Sequence, residues 1–478
     1  MIGWIVGILV VAFLLVLVIR ALRFKPPVEE PVESAEWDID KEAVVEHLAA
    51  MVQCKTVSRA DTSLEDEAEF DKFRNLLREL YPTVYEKCQY DTFGRSGIRL
   101  TLAGREAGGP SVFMAHYDVV PPVEEAWDHP PFCGEVFDGE LWGRGTLDTK
   151  ITLCGALEAA ELLLRQGFVP KNDMVFAFAG DEETTGLSAQ AAAVEYKEKG
   201  IVPSFVLDEG GAVVQNVFPG VKAPCAVVGT AEKGVMNVTF SVEGHGGHAS
   251  TPPRVSNIRR LADAVGRMER KPFRTQLCRP VAEMFDTLGR HSTFLYRLVF
   301  ANLKVFMPLL AAIYRKPGGE IHALLHTTVA FTQMQGSDAV NVMPPRASVR
   351  ANLRLLGEDS VEVATAYLRK TVADERITVT PDGGSMDPAP VSVTDCEQVR
   401  QLKRAIRCTW PEALVSPYIM LQCSDSRHYS RISPYVYRFS AMALSQEERS
   451  RIHGNNERVP LDTIYDAVRF YLNILSQR

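Results

Sequence analysis

With 478 residues, 46% of them hydrophobic and 23% charged, the chain is long enough to bury a large core and form more than one domain, and its composition excludes disorder. A net charge of -8 and a pI near 5.8 leave no general basic surface to neutralise phosphates, which argues against nucleic acid as a partner. The nine cysteines are scattered, odd in number and without a CxxC pair, so they read as free thiols rather than a disulfide framework or a thiolate zinc site.

From Ile2 to Ile19 the sequence is uninterruptedly apolar or glycine, and Arg20, Arg23 and Lys25 follow. A span needs about 20 such residues. No basic residue precedes the run and no small-x-small site follows it, which predicts an uncleaved single-pass anchor over 1–25 rather than a signal peptide. A lipid bilayer is then an expected partner, and the basic residues after the span would put the globular part in the cytoplasm.

Apolar spacing over Val44, Val45, Leu48, Met51 and Val52, and again over Phe70, Phe73, Leu76, Leu77 and Leu80, predicts helices between Lys41 and about Tyr85. Val112 to His116 reads as a buried strand ending two residues before Asp118. The segment Val120 to Gly145 carries no helix or strand pattern, and a loop of that length is more often functional than not. Leu153, Ala156, Leu157, Ala160, Leu163 and Leu164 then mark one face of a helix, so that Asp148 sits at a helix start, where an Asp is most often an N-cap. Met174 to Ala179 is a second buried strand running into Asp181, Glu182 and Glu183; Ser204 to Leu207 is a third, followed by Asp208, Glu209 and two glycines. Strands alternating with helices predict an α/β fold with a mixed, mainly parallel sheet flanked by helices. Near Ala231 the pattern changes to antiparallel alternation, at Met236 to Val242, Ala347 to Leu355 and Ile377 to Thr380. This predicts an inserted α+β lid domain at 231–386 between two parts of a catalytic domain, 26–230 and 387–478.

Each candidate residue alone is weak, since a histidine after a strand is more often structural than a ligand. Together, His116, Asp148, Glu183 and Asp208 follow one another at the ends of successive core elements, the edge where α/β proteins place their sites. With the late His453 they make two imidazoles and three carboxylates, a set suited to zinc or a similar divalent ion. Three carboxylates and one solvent-derived anion balance two divalent ions better than one, and a carboxylate must bridge them. Asp148 is the expected bridge. Asp118 could orient the His116 ring, and Glu182 could carry a proton between water and a leaving amine.

His116-x-Asp118, Gly143-Arg144-Gly145-Thr146-x-Asp148-x-Lys150, Asp181-Glu182-Glu183, Asp208-Glu209-Gly210, Gly247-His248-x-Ser250 and His453-Gly454 resemble the zinc aminoacylase and carboxypeptidase family from about residue 40 onward. Within it, Trp127 to Phe132, Ala231 to Gly234, Asn341 to Pro345 and the long insert between Pro272 and Thr332 are most similar to carboxypeptidase S and the N-fatty-acyl-amino-acid synthase/hydrolase. The resemblance implies a di-zinc exopeptidase fold with one zinc on His116, Asp148 and Glu183 and a second on Asp148, Asp208 and His453. It implies Glu182 as general base and acid, His248 from the lid as oxyanion donor, and Asn341, Arg354 and Gly454 at the substrate, with Arg354 on the free carboxylate. An ordinary strand salt bridge is the competing reading of Arg354. Thr149, Cys423 and Ser424 depart from the family's usual residues without removing a ligand.

The expected reaction is hydrolysis, or its reversal, of the amide bond of N-acyl amino acids; short peptides are the alternative substrate. The segment Phe294 to Tyr314 is unusually apolar for a lid. It reads as a packed helix or a homodimer surface, with an acyl groove or membrane contact as the alternatives. A non-catalytic protein of the same fold would lack a ligand or the base, and the sequence has all of them.

Overall fold

Secondary structure begins with α1 (Ile2–Arg23), of whose residues only Leu17 and Ala21 are buried, in a computed structural model that describes residues 2–28, 31–33, 35–216, 218–315 and 319–478. Asp40 caps α2 (Lys41–Val52) by accepting from the Ala43 amide, and Asp66 caps α3 (Glu67–Leu80) in the same way. Pro82 opens α4 (Pro82–Lys87). The expected apolar stripes face inward through Val44, Leu48, Met51 and Val52 and through Phe70, Phe73 and Leu77.

A hairpin of β1 (Gln89–Phe93) and β2 (Gly97–Leu102) precedes the buried strand β3 (Ser111–His116). The segment expected to be irregular holds a second hairpin, β4 (Glu135–Phe137) and β5 (Glu140–Trp142), whose two-residue turn takes positive φ at Asp138 and Gly139. Then come α5 (Lys150–Arg165), β6 (Met174–Ala179), α6 (Leu187–Glu198), β7 (Phe205–Val214) and β8 (Cys225–Glu232). The strand expected to stop at Leu207 runs seven residues further, carrying Asp208 and Glu209 within it.

The inserted part begins with β9 (Gly234–Glu243), β10 (Gly247–His248) and α7 (Asn257–Arg270). It continues through α8 (Arg279–His291), α9 (Phe294–Phe300), α10 (Leu303–Arg315) and α11 (Gly319–Leu325). It ends with β11 (Thr328–Gln335), β12 (Val342–Met343), β13 (Arg346–Leu355), α12 (Val361–Val372) and β14 (Ile377–Pro381). The antiparallel sheet β11-β13-β9-β14 packs α7 and α12 over its own core, which includes Met236, Phe240, Leu261, Leu353 and Leu368. The four helices α8 to α11 do not share that core. Their buried residues, Val281, Met284, Phe285, Leu288, Phe300, Leu324 and Leu325, belong to the core of the main body. The stretch expected to form a single lid therefore divides, because its middle carries apolar surface that the small sheet cannot cover.

The chain returns through α13 (Glu397–Thr409), β15 (Leu414–Met420), α14 (Ser426–Tyr429), β16 (Val436–Leu444), α15 (Gln446–Arg451), β17 (Arg458–Pro460) and α16 (Leu461–Leu475). The main sheet has the order β1-β2-β6-β3-β7-β16-β8-β15; β3 runs parallel to β6 and β7, β16 to β7 and β15 to β8. It is the expected mixed sheet flanked by helices. Register pairs His116 with Ala179 and Phe113 with Leu207, so the ends of β3 and β6 lie level while β7 passes beside them.

Between β16 and β8 of this sheet Arg438 is fully buried and its Nε donates to Glu232, which also accepts from the Ser424 amide and hydroxyl. Removing one member of such a pair strands the other charge out of water. Arg438→Met should therefore cost about 3–5 kcal/mol in denaturant unfolding, and adding Glu232→Gln should recover much of it. A cost below about 1 kcal/mol for the single variant, the range of an exposed pair, would contradict this account of the sheet.

Candidate active site

The strand β3 delivers His116, almost completely buried, to the edge of the sheet. Its Nδ1 donates to the Asp118 carbonyl at 3.0 Å, which aims Nε2 at Asp148 Oδ1, 3.0 Å away, and at Glu209 Oε2, 3.5 Å away. Asp118 does more than orient that ring. Its buried carboxylate accepts from Ser58 Oγ at 2.7 Å and from the amides of Glu182 and Glu183 at 3.2 and 3.1 Å, tying the histidine to the turn that carries both acids. Ser58 is a supporting residue that no pattern in the sequence marks.

Asp148 is not an N-cap: α5 starts at Lys150, and Asp148 instead lies between the two imidazoles. Its Oδ1 meets His116 Nε2 and its Oδ2 meets His453 Nε2, each at 3.0 Å. The loop before it is held by Glu457, fully buried, which accepts from the amides of Gly145, Leu147 and Asp148 and pairs with Arg144 at 2.6 Å. Arg144 also donates to the Gly454 carbonyl at 2.8 Å, fixing the turn in which His453 adopts a φ of +59°. Gly454, expected at the substrate, thus has a structural partner, and a Cβ there would lie 2.9 Å from the Ser450 carbonyl. Arg144 stands in one of the motifs and Glu457 in none, and neither carried a role from sequence.

The three adjacent acids separate. Asp181 accepts from the Ser188 amide and hydroxyl at the start of α6, whereas Glu183 reaches His453 Nε2 at 3.0 Å and Glu182 lies 3.7 Å from Arg427. The pair on β7 departs from the sequence reading. Asp208 turns away and accepts from the Ser426 amide at 2.8 Å, while Glu209 faces His116. Strand alternation is the reason: Glu209 shares the face of Phe205 and Leu207, which join the main core, and Asp208 shares that of Val206. The histidines therefore pair as His116 with Glu209 and His453 with Glu183, with Asp148 common to both. His116, Asp148 and Glu183, and also His116, Glu182 and Glu209, bring ligand atoms within 4.8 Å of one another.

So many acids in one place hold protons that water would remove. Burial, with Glu183 and other acids nearby, raises the Glu182 carboxyl well above its usual range, and burial lifts Glu209 to about 8. Burial disfavours the charged His116 ring, but Glu209, Asp118 and Asp148 outweigh it and push its pKa well up; hydrogen bonds to Asp148 and Glu183 push His453 to about 10. Burial also opposes the charge on Asp148, yet the two imidazoles hold its carboxyl far below the usual range. The cluster calls for positive charge, and its oxygen and imidazole donors fit zinc or a similar divalent ion. All nine cysteines are free, as expected.

Three expected substrate groups sit in the lid or at its edge. His248 is exposed on the β10–β12 ribbon, opposite Val342, with its Nδ1 accepting from Ser250 Oγ at 2.7 Å. Asn341 is exposed beside it, its carbonyl accepting from the Ala249 amide. Among the described residues neither shares a hydrogen bond or ion pair with the cluster. Arg354, on β13, lies half-buried with its guanidinium 3.4 Å from Cys423 Sγ, between lid and main body.

A cavity of about 460 Å³ opens on Asp148, Glu182, Glu183, Glu209 and His453 and continues between apolar walls that include Phe218, Val227, Phe285, Leu324 and Met442. The insert's helices α8 to α11 form one of those walls.

Residues 112–477 match Peptidase family M20/M25/M40. The chain is 33% identical to the probable carboxypeptidase S-like 2 of Dictyostelium discoideum, over 98% of this chain and 92% of that one. It is also 33% identical to the N-fatty-acyl-amino acid synthase/hydrolase PM20D1 of Xenopus tropicalis, over 91% and 86%. Its fold is similar to that of an M20 family metallo-carboxypeptidase, Sso-CP2 from Sulfolobus solfataricus, with a TM-score of 0.64 at 15% identity over 91% of this chain and 98% of that one. Fold, histidine–carboxylate cluster and sequence match agree: the chain belongs to peptidase family M20/M25/M40 and is a metal-dependent hydrolase.

Proposed function

We propose that the enzyme uses two zinc ions to cleave the amide bond of N-acyl amino acids with long acyl chains, and that it is held at a membrane by α1. The observation that carries the substrate reading is the apolar cavity opening directly on the histidine–carboxylate cluster. Each methylene buried in it adds about 0.8 kcal/mol, while a peptide chain there would leave amides without partners. The anchor reading is supported by the buried Asn302, whose Nδ2 donates to the Leu17 carbonyl of α1 at 3.0 Å.

Asp148 would bridge the ions, His116 and Glu209 holding one and Glu183 and His453 the other, in place of the arrangement with Asp208. When bound, zinc lowers the pKa of water toward about 7 and polarises the scissile carbonyl. The chain's own residues do the rest. Glu182, which lines the cavity beside the cluster, takes the proton from the attacking water and returns it to the leaving amine nitrogen. Arg354 receives the free carboxylate, and lid closure, in one chain or against a second copy, brings His248 and Asn341 to the oxyanion and the amide. Run backward, the same groups condense a fatty acid with an amino acid.

The substrate reading is tested by comparing kcat/KM for an N-oleoyl amino acid, the N-acetyl amino acid and a dipeptide. The N-oleoyl substrate should be preferred, and Glu182→Gln should lower its kcat by about 10²–10⁴-fold with metal content unchanged. Preference for the dipeptide would favour the carboxypeptidase alternative. For the ligands, Glu209→Gln should lower the metal bound per chain on elemental analysis, whereas Asp208→Asn should retain it. The opposite pattern would restore Asp208 as the ligand.

A further inference from the structure

We infer that the bent pair α9–α10 is seated in the bilayer surface beside α1, so that acyl substrates reach the cavity laterally from the lipid rather than from water. This rests on the proposed acyl cavity and on a retained anchor. The 22 residues of α1 make a helix about 33 Å long, matching a hydrocarbon core of about 30 Å. Its last turns are not on a free linker. Asn302 grips the Leu17 carbonyl, Phe24 packs on the main core, and Arg290 covers the Phe24 ring at 4.4 Å while donating to the Lys25 carbonyl at 3.1 Å. The anchor is thereby fixed to the helices that wall the cavity.

Those helices have the wrong surface for water. Helix α9 and residues 303–313 of α10 meet at 106° and together pass as apolar enough for a membrane, although neither is long enough to cross one. Along α10, Val305, Leu309 and Ile313 recur every four residues and are 45%, 56% and 52% exposed; Leu295 of α9, at 74%, adds to the same kind of surface. Leu310, one residue from the exposed stripe, lines the cavity together with Phe300 of α9. A single layer of helix therefore separates the exposed apolar face from the acyl chamber. Arg20 and Arg23 in the last turn of α1, with exposed Lys304 at the start of α10, supply charges at the depth of lipid headgroups. Continuity with an anchor that itself lies in lipid makes the bilayer, rather than a second copy of the chain, the occupant of this face.

The test uses the full chain in phosphatidylcholine vesicles. Leu309→Trp in a Trp4→Phe background should be quenched by lipids brominated on their acyl chains, beyond the quenching of the background protein. No added quenching overturns the proposal, and if the protein is then dimeric through this face a second copy is the occupant. In a second arm, Leu309→Glu with Ile313→Glu should slow hydrolysis of an N-oleoyl amino acid held in the vesicles by about tenfold or more, with N-acetyl turnover in solution kept. Unchanged N-oleoyl turnover overturns lateral access. If the double variant loses both activities through misfolding, the quenching arm decides. Failure of the acyl reading is distinguishable, because an unmodified chain that hydrolyses neither compound still gives a quenching result.

Discussion

Four carboxylates that face two imidazoles in a largely buried cluster set the constraint on which the rest of the structure depends. Asp148, Glu182, Glu183 and Glu209 cannot all ionise side by side away from bulk water unless positive charge joins them. Asp148 meets that condition on both sides, with one oxygen on each histidine. Much of the neighbouring architecture keeps this carboxylate in place. Glu457 gathers three amides of the loop before it, Arg144 locks that loop to the His453 turn, and Asp118 ties His116 to the amides of Glu182 and Glu183. The contacts of Glu457 and Arg144 link parts of the sequence more than 300 residues apart, which the fold brings together.

The strands that carry the cluster were legible because continuous apolar runs, Val112 to Ala115 and Met174 to Ala179, end just before His116 and Asp181. What failed was the end of the third strand, expected at Leu207. Gly210 and Gly211 look like a turn that ends a strand, but β7 continues through them, and a Cβ on Gly211 would lie 1.8 Å from the Val227 carbonyl. The glycine is there for close approach of two strands. Once the strand is seen to continue, alternation assigns Asp208 to the face of Val206 and Glu209 to the cluster. The β4–β5 hairpin was missed for a different reason, since strands of three residues are too short to show a period. Ser58, Arg144 and Glu457 were illegible because a buried polar side chain that orients another has no spacing rule.

The insert shows the same limit at domain scale. Antiparallel alternation marked its sheet, and that sheet with α7 and α12 forms a separate small core. The apolar helices between them could have covered a lid, a second copy or a ligand. Packing puts them on the main body: Val281, Phe285 and Leu324 complete its core, and neighbouring side chains wall the cavity. One segment thus finishes the hydrophobic core and shapes the cavity next to the histidine–carboxylate cluster. His248 and Asn341 remain exposed on the small domain, and the roles proposed for them require that domain to move.

Because the account makes Asp148 a bridge between two cations, the most direct measurement is the number of divalent ions bound per full-length chain, by elemental analysis after purification without chelators. Two ions per chain is the result the paired histidine–carboxylate geometry predicts. A saturated stoichiometry of one, with His116, Glu209, Glu183 and His453 all intact, would contradict it.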